Sequence, residues 1–167
     1  MALIAFRRRS PLPPAEAWRR VTDWPRHSAH VPLTRLSTEP PGPTRTGTVV
    51  LARTGRGRLG FDDPMEVVRW EPPGPDGTGR CRLVKRGGVV VGWAEIEVRP
   101  DGAGSVVSWR EEARVRLLPR LFDPPTAWAG RRIFGRVVDT LLAAPPRSAG
   151  GPGRPDGPGR GARRRGT

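Results

Sequence analysis

The chain is poor in several residue types that define large functional classes. Among its 167 residues there is one cysteine, Cys81, which excludes an internal disulfide and a thiolate metal cluster. No run of Val, Leu and Ile is longer than three residues, as at 89–91, whereas a membrane-spanning helix needs about 20 apolar residues. The apolar run before Arg7 is too short for a signal peptide. We therefore expect a soluble, cytoplasmic protein with one core, in which Cys81 is buried and unreactive.

Lysine is also nearly absent, and tyrosine is absent altogether. Lys85 is the only lysine among 30 basic residues, and the net charge is +14. Such a charge suggests nucleic acid or an anionic surface as a partner. Arginine, glycine and proline, however, all have GC-rich codons, and the excess charge lies near the termini. An RNA- or ribosome-associated accessory domain that binds through its Arg-rich termini therefore stays an alternative. Its candidate residues, which could also contact an anionic surface, are Arg7, Arg8, Arg9, Arg163, Arg164 and Arg165.

The first third of the chain predicts a strand followed by helix. Residues 2–9 predict a strand, with Leu3 and Ala5 on one face and Ile4 and Phe6 on the other. Segment 13–25 predicts a helix, because two prolines open it and apolar residues recur at three- and four-residue spacing. Pro25 is expected to end that helix, since the residue before a proline avoids the α region. A second helical turn is expected through residues 26–30.

The period of the apolar residues then changes to two, which is typical of strands. Six further strands are predicted, over 33–38, 48–53, 59–70, 79–86, 89–98 and 105–116. Their short connections favour an antiparallel meander, and Gly87 with Gly88 predicts a two-residue hairpin with positive φ at both positions. A long final helix is predicted over 124–144. Its Gly130 and Gly135 indicate that another element approaches closely.

This order predicts an α+β, helix-grip fold, with a curved antiparallel sheet of about seven strands around a long C-terminal helix. The domain is expected to span residues 1–144. Residues 145–167 are rich in Gly, Pro and Arg and predict a disordered tail. A sheet that curves around a helix leaves a concave space, and such pockets favour apolar ligands held by few polar groups.

Three short motifs carry a resemblance to a known group. They are Pro-Pro-Ala-Glu-Ala-Trp at 13–18, Thr-Asp-Trp-Pro at 22–25 and Trp-Glu-Pro-Pro at 70–73. With the late long helix, they resemble the SRPBCC superfamily of START, polyketide cyclase/dehydrase-like and pollen-allergen-like proteins, over roughly 2–144. The resemblance implies binding of lipids, polyketides or other hydrophobic small molecules, which some members cyclise or dehydrate. These motifs mark a fold rather than an activity.

One acid on the last strand is a candidate for chemistry. Glu111 shares the inward phase with Trp109, and desolvation there would suit it to general acid or base work. The alternatives are an ion pair with an arginine or a position at the open end of the cavity. Asp62 and Asp63 are adjacent in a strand and point to opposite faces, so one of them is expected to turn outward.

The ligand contacts predicted from these patterns are mostly large and apolar. They are Trp24, Phe61, Met65, Trp109, Glu111, Trp128 and Phe134. Glu111 or His27 would orient the polar end of the ligand. The competing hypothesis is a cyclase- or dehydratase-like enzyme that uses Glu111 or His27 as acid or base.

No cofactor and no metal are expected. Residues 55–60 match G-x-G-x-x-G, but strand-like residues follow where a dinucleotide site needs a helix. Asp23, His27 and His30 lie close in sequence, yet Pro25 interrupts the helical register that would align them as metal ligands.

Overall fold

The computed structural model describes residues 1–31, 33–55 and 60–143. Strand and helix follow one another in the predicted order. The strands are β1 (Ala2–Ser10), β2 (Thr34–Glu39), β3 (Val49–Thr54), β4 (Phe61–Glu71), β5 (Gly79–Lys85), β6 (Val90–Asp101) and β7 (Gly104–Val115). The helices are α1 (Pro14–Val21), α2 (Trp24–Ser28) and α3 (Asp123–Ala143), with a 3₁₀ turn at Arg120–Phe122. The predicted tail, 145–167, lies outside the described residues.

All seven strands form one antiparallel sheet, in the order β1-β7-β6-β5-β4-β3-β2. The meander prediction is confirmed, because β2 to β7 each pair with the strand before or after in the chain. The exception is β1, which returns to pair with β7 and sets Phe6 opposite Trp109. The α+β fold with a seven-stranded sheet and a long C-terminal helix is therefore confirmed.

The first helix ends earlier than predicted. It stops at Val21, and α2 begins at Trp24 with Pro25 in its first turn. The expectation that Pro25 ends a helix was wrong, because a proline in a first turn lacks only an N–H that would have no helical partner. The break falls at Thr22, whose hydroxyl donates to the carbonyl of Trp18 at 2.8 Å.

The hairpin between β5 and β6 also differs from the prediction. Residues 86–89 connect the strands, and neither Gly87 nor Gly88 has a positive φ. The glycine that needs one is Gly92, within β6, at φ +138°. A Cβ there would overlap the backbone carbonyl of Glu112, so only glycine fits.

The helices cover the inner face of the sheet unevenly. α3 packs on β1, α2 packs on β2, and α1 covers one end of β5, β6 and β7. The predicted close approach to α3 is confirmed, since a Cβ at Gly130 would overlap the side chain of Ile4. At Gly135 the nearest atom is the guanidinium of Arg8, 2.8 Å from where a Cβ would stand.

A buried arginine joins α1 to the end of α3. Arg20 is 4% exposed and its Nε lies 2.6 Å from Glu16. Its guanidinium also donates to the carbonyls of Leu141 and Leu142, at 3.5 and 3.4 Å. These carbonyls belong to the last turn of a helix, where a cation is favourable. The hydrogen bond from Arg20 lowers the pKa of Glu16 below its usual value.

Cys81 lies within the core, as expected. Its side chain is fully buried, and burial raises the pKa of the thiol to about 12. A thiol of that pKa stays protonated at neutral pH and is a poor nucleophile. Among the described residues, no helix has the length and apolar character needed to cross a membrane.

The contact at Gly130 predicts unequal effects for two similar substitutions. Gly130→Ala should lower the free energy of unfolding by about 1–3 kcal/mol, because the new methyl overpacks against Ile4. Gly135→Ala is the matched control, since Arg8 can move its flexible end and alanine favours the helix by about 1 kcal/mol. Urea unfolding of both variants measures the difference. Equal stabilities would contradict the close approach of β1 and α3.

Candidate functional site

A cavity of about 160 Å³ lies between the inner face of the sheet and helices α2 and α3. Strands β2 to β7 all contribute to its wall. Most of its lining is apolar, with side chains from Trp24, Val31, Leu36, Ala52, Phe61, Met65, Leu83, Val90, Ala94, Trp109 and Phe134. A smaller polar part consists of His27, Thr34, Thr54, Asp63, Lys85 and Glu111. Apolar cavities of roughly 150 Å³ are large enough to hold benzene.

Six of the predicted ligand contacts line this cavity, and one does not. The six are Trp24, Phe61, Met65, Trp109, Glu111 and Phe134, and the predicted orienting residue His27 lines it as well. Trp128 is instead 59% exposed on the outer side of α3, where the Arg132 guanidinium lies 5.3 Å from its ring centroid. Ala127 and Gly130 lie on the buried face of α3, and Trp128 therefore lies on the exposed face. The prediction for Trp128 was therefore wrong.

Trp109 is the centre of an aromatic stack on the cavity wall. Its ring is stacked on Phe6 at a centroid distance of 6.0 Å and on Phe134 at 5.6 Å. The His27 ring lies 6.2 Å away. These rings come from β7, β1, α3 and α2, so the stack ties the sheet to both helices. Large rings with few rotatable bonds give a cavity a fixed apolar surface.

His27 is buried and uncharged at neutral pH. Burial lowers the pKa of its imidazole, and its Nε2 donates to the carbonyl of Val21 at 2.9 Å. The Nδ1 atom of the neutral ring is then an acceptor. Asp23, suggested by the sequence as a neighbour, pairs instead with Arg26 at 3.2 Å. Among the described residues, no three His, Cys, Asp or Glu side chains converge as metal ligands would.

The polar part of the wall is organised around the only lysine in the chain. Lys85 Nζ lies 2.7 Å from Asp63 Oδ2 and 3.3 Å from Glu111 Oε1. Glu111 Oε2 accepts a hydrogen bond from Trp109 Nε1 at 3.3 Å. We call Asp63, Lys85 and Glu111 the buried triad. Glu111 thus has the inward position that the strand phase predicted, with a lysine as its partner instead of an arginine.

The two carboxylates keep the lysine of the buried triad charged. Burial alone would lower the pKa of Lys85, but Glu111 and Asp63 outweigh that effect and raise it above its usual value. A lysine in this state is not a nucleophile at neutral pH, since nucleophilic attack needs the free amine.

Small residues on β6 allow the buried triad to form across three strands. Lys85 on β5 pairs with Gly92, and Ala94 pairs with Glu111 on β7. Because neither β6 residue fills the inner face, the long lysine side chain reaches past β6 to Glu111. Asp63 lies two residues before Met65, the partner of Lys85 on β4, and therefore on the same face.

Sequence reasoning missed two members of the triad, although a pattern for each was present. Lys85 follows Cys81 and Leu83 at two-residue spacing, and both of those are buried. Asp63 has the same phase as Val67, while Asp62 is the neighbour that turns outward, as predicted for one of the pair. A single lysine in an arginine-rich chain, in phase with buried residues, is the pattern that indicates this site.

The arginines at the start of the chain do not share one face of β1. Along β1, Arg7 and Arg9 alternate with Arg8, as strand geometry requires. Arg8 pairs with Asp139 at 2.6 Å and Arg9 with Asp101 at 2.9 Å. The second predicted cluster, Arg163, Arg164 and Arg165, lies outside the described residues, as do residues 56–59 of the G-x-G-x-x-G match. A strand, β4, begins directly after that match.

The buried triad predicts a large effect of removing its cation. Lys85→Met should lower the free energy of unfolding by about 3–5 kcal/mol, because two buried carboxylates lose their counter-charge. Arg86→Met is the matched neighbour, since its ion pair with Glu66 is exposed and is worth about 0–1 kcal/mol. Urea unfolding at neutral pH measures the free energy of unfolding of both variants. A Lys85→Met variant as stable as the wild type would contradict the buried ion pairs of Lys85 with Asp63 and Glu111.

Comparison with known proteins agrees with this architecture. A family model described as polyketide cyclase/dehydrase and lipid transport matches residues 1–144. No curated protein has a significant match. Among solved structures, a STAR-related lipid transfer protein from Xanthomonas axonopodis has a TM-score of 0.61 and 14% identity, covering 82% of this chain and 84% of that one.

Two further solved structures share the fold at low identity. The protein TTHA0849 from Thermus thermophilus has a TM-score of 0.57 and 16% identity, covering 84% of this chain and 91% of that one. Ara h 8.0201 has a TM-score of 0.56 and 13% identity, with coverages of 85% and 98%. Because the family model spans all of the described residues, the chain belongs to the polyketide cyclase/dehydrase and lipid transport family, within the SRPBCC superfamily.

Proposed function

We propose that this protein binds a hydrophobic small molecule in the cavity between the sheet and helices α2 and α3. The observation that carries the proposal is an apolar wall of rigid rings and aliphatic side chains around about 160 Å³. The stack of Phe6, Trp109 and Phe134 supports one side of the site. Membership of a family described by polyketides and lipids is consistent with such a ligand. Residues 1–144 would form the binding domain, in a cytoplasmic protein.

The size of the cavity limits the affinity that apolar burial can supply. Burial contributes about 25 cal/mol per Å², so a ligand that buries roughly 200 Å² gains about 5 kcal/mol. Part of that gain offsets the translational and rotational freedom lost on association. A benzene-sized ligand without polar contacts would therefore bind with a Kd no lower than about 1 mM, which is equivalent to about 4 kcal/mol. Tighter binding requires the polar part of the wall.

Filling the cavity should abolish binding. Ala52 lies on the cavity wall, whereas the adjacent Leu51 does not. Toluene should bind the wild type and the Leu51→Phe control with the same affinity, and Ala52→Phe should weaken it at least tenfold. Ligand-observed NMR measures each Kd, and circular dichroism confirms that the variants are folded. Equal binding to a folded Ala52→Phe protein would overturn the proposed site.

A second candidate function is catalysis by the buried triad. It is favoured by the burial of Glu111 at the cavity wall, 4% exposed, next to a charged lysine. In an enzyme of the cyclase or dehydratase type, Glu111 would remove a proton next to a ketone. The resulting enolate carbon would attack a second carbonyl carbon in the same molecule, and the protonated Glu111 would return its proton to the alkoxide formed. Removal of a second α proton and departure of the hydroxyl as water would complete the reaction.

Glu111→Gln distinguishes the two functions, because glutamine keeps the shape of the side chain and cannot act as the base. Heptane-2,6-dione, which cyclises by this chemistry, is a suitable small substrate. If the protein is an enzyme, the wild type accelerates its conversion and the variant loses about 10²–10⁴ in rate. Toluene binding should persist in the variant. No acceleration by the wild type, with toluene still bound, would leave binding alone as the function.

A further inference from the structure

The polar part of the cavity wall carries more negative than positive charge. The buried triad has two carboxylates and one ammonium, which gives a net charge of −1 when all three are ionised. The side chains of Lys85, Asp63 and Glu111 are 7%, 10% and 5% exposed, so water does little to screen this charge. Among the described residues of the wall, His27 is the other titratable side chain, and it is neutral and contributes no positive charge.

The strongest hydrogen-bond donors on the wall are already used. The ammonium of Lys85 has three hydrogens. Its three neighbours are Asp63 Oδ2 at 2.7 Å, Glu111 Oε1 at 3.3 Å and Met65 Sδ at 3.5 Å. The indole of Trp109 donates to Glu111, and that of Trp24 donates to Thr44 at 3.0 Å. The described part of the cavity wall therefore offers a ligand few free donors.

Acceptors, in contrast, remain available. Asp63 Oδ1 is enclosed and has no hydrogen-bond partner among the described residues, although the Asp63 side chain lines the cavity. The terminal torsion of an aspartate is broad, so the two oxygens can turn to meet a ligand. An enclosed carboxylate oxygen without a donor destabilises the protein, and a ligand that supplies a donor removes that penalty.

We propose that the ligand is an apolar molecule with a protonated amine at one end, and that the amine binds against Asp63 and Glu111. This inference rests on the proposed binding function of the cavity. An ammonium supplies the missing positive charge and several donors in one group. An alcohol supplies one donor and no charge, and a carboxylate adds a third negative charge to the two present.

The carboxylate that would receive the ammonium adjoins the apolar part of the cavity wall. Trp109 Nε1 lies 3.3 Å from Glu111 Oε2, so the N–H edge of the indole meets this carboxylate. The apolar body of the ligand would then lie toward Phe134 and Met65, which line the same cavity.

The experiment compares ligands that differ only in the terminal group. Calorimetric titration at pH 7 and constant ionic strength would use n-hexylamine, which is protonated there, with 1-hexanol, hexanoate and toluene. We expect n-hexylamine to bind at least tenfold more tightly than 1-hexanol, and hexanoate to bind more weakly than either. Toluene serves as the reference for apolar binding alone.

Two adjacent aspartates supply a matched pair of variants. Asp63→Asn removes one of the buried charges and should reduce the preference for hexylamine over hexanol about tenfold. Asp62→Asn should leave it unchanged, because Asp62 is exposed and lies 3.5 Å from Arg53. If Asp63→Asn does not fold, Glu111→Gln removes the other buried carboxylate charge and should reduce the preference in the same way, and the wild-type preference remains measurable.

The outcomes separate this inference from the function on which it rests. Toluene that binds without any preference for hexylamine overturns the inference and leaves apolar binding intact. Hexanoate that binds as tightly as hexylamine also overturns it. If neither toluene nor hexylamine binds, the proposed cavity function fails and this inference fails with it. An equal loss of preference in the Asp62 and Asp63 variants would show that the buried carboxylate is not the group responsible.

Discussion

The seven-stranded sheet has a wider inner face than three helices can cover, and the cavity is the result. α3 lies along β1, where the absence of a side chain at Gly130 lets Ile4 approach, and α2 lies over β2 at the other edge. Of the middle strands, β5 and β6 are covered by α1 at one end. Apolar side chains must therefore line a space instead of filling it. Packing that is dense at the edges of the sheet and open over its middle defines a binding site.

The buried triad is a direct consequence of this open space. In a filled core, two carboxylates and an ammonium would be displaced by apolar side chains, since burying ions seldom stabilises a fold. Here Lys85 links three strands through Asp63 and Glu111, and all three groups face the cavity. Low local polarity strengthens their mutual attraction and also any attraction for a charged ligand. The buried charges that make the core less stable thus give the site its chemical character.

Sequence patterns predicted the fold well because each element has a local cause. The patterns that predicted these elements are the alternation of residues in strands, the prolines that begin a helix and the apolar face of the long helix. Each pattern depends on neighbours within a few residues. The prediction for Pro25 failed because a proline is compatible both with the end of one helix and with the start of the next. The prediction for Trp128 failed because several faces of α3 carry apolar residues, and only contact with β1 decides which face is buried.

The sequence by itself determined the order of strands and helices, the α+β class and the inward position of Glu111, since these follow from periodicity. Only the tertiary structure decided which groups meet in the cavity. Asp63, Lys85 and Glu111 come from three strands that are far apart in the chain, and their contact depends on strand register and on small residues at Gly92 and Ala94. Register is a property of paired strands, so no single strand could reveal it.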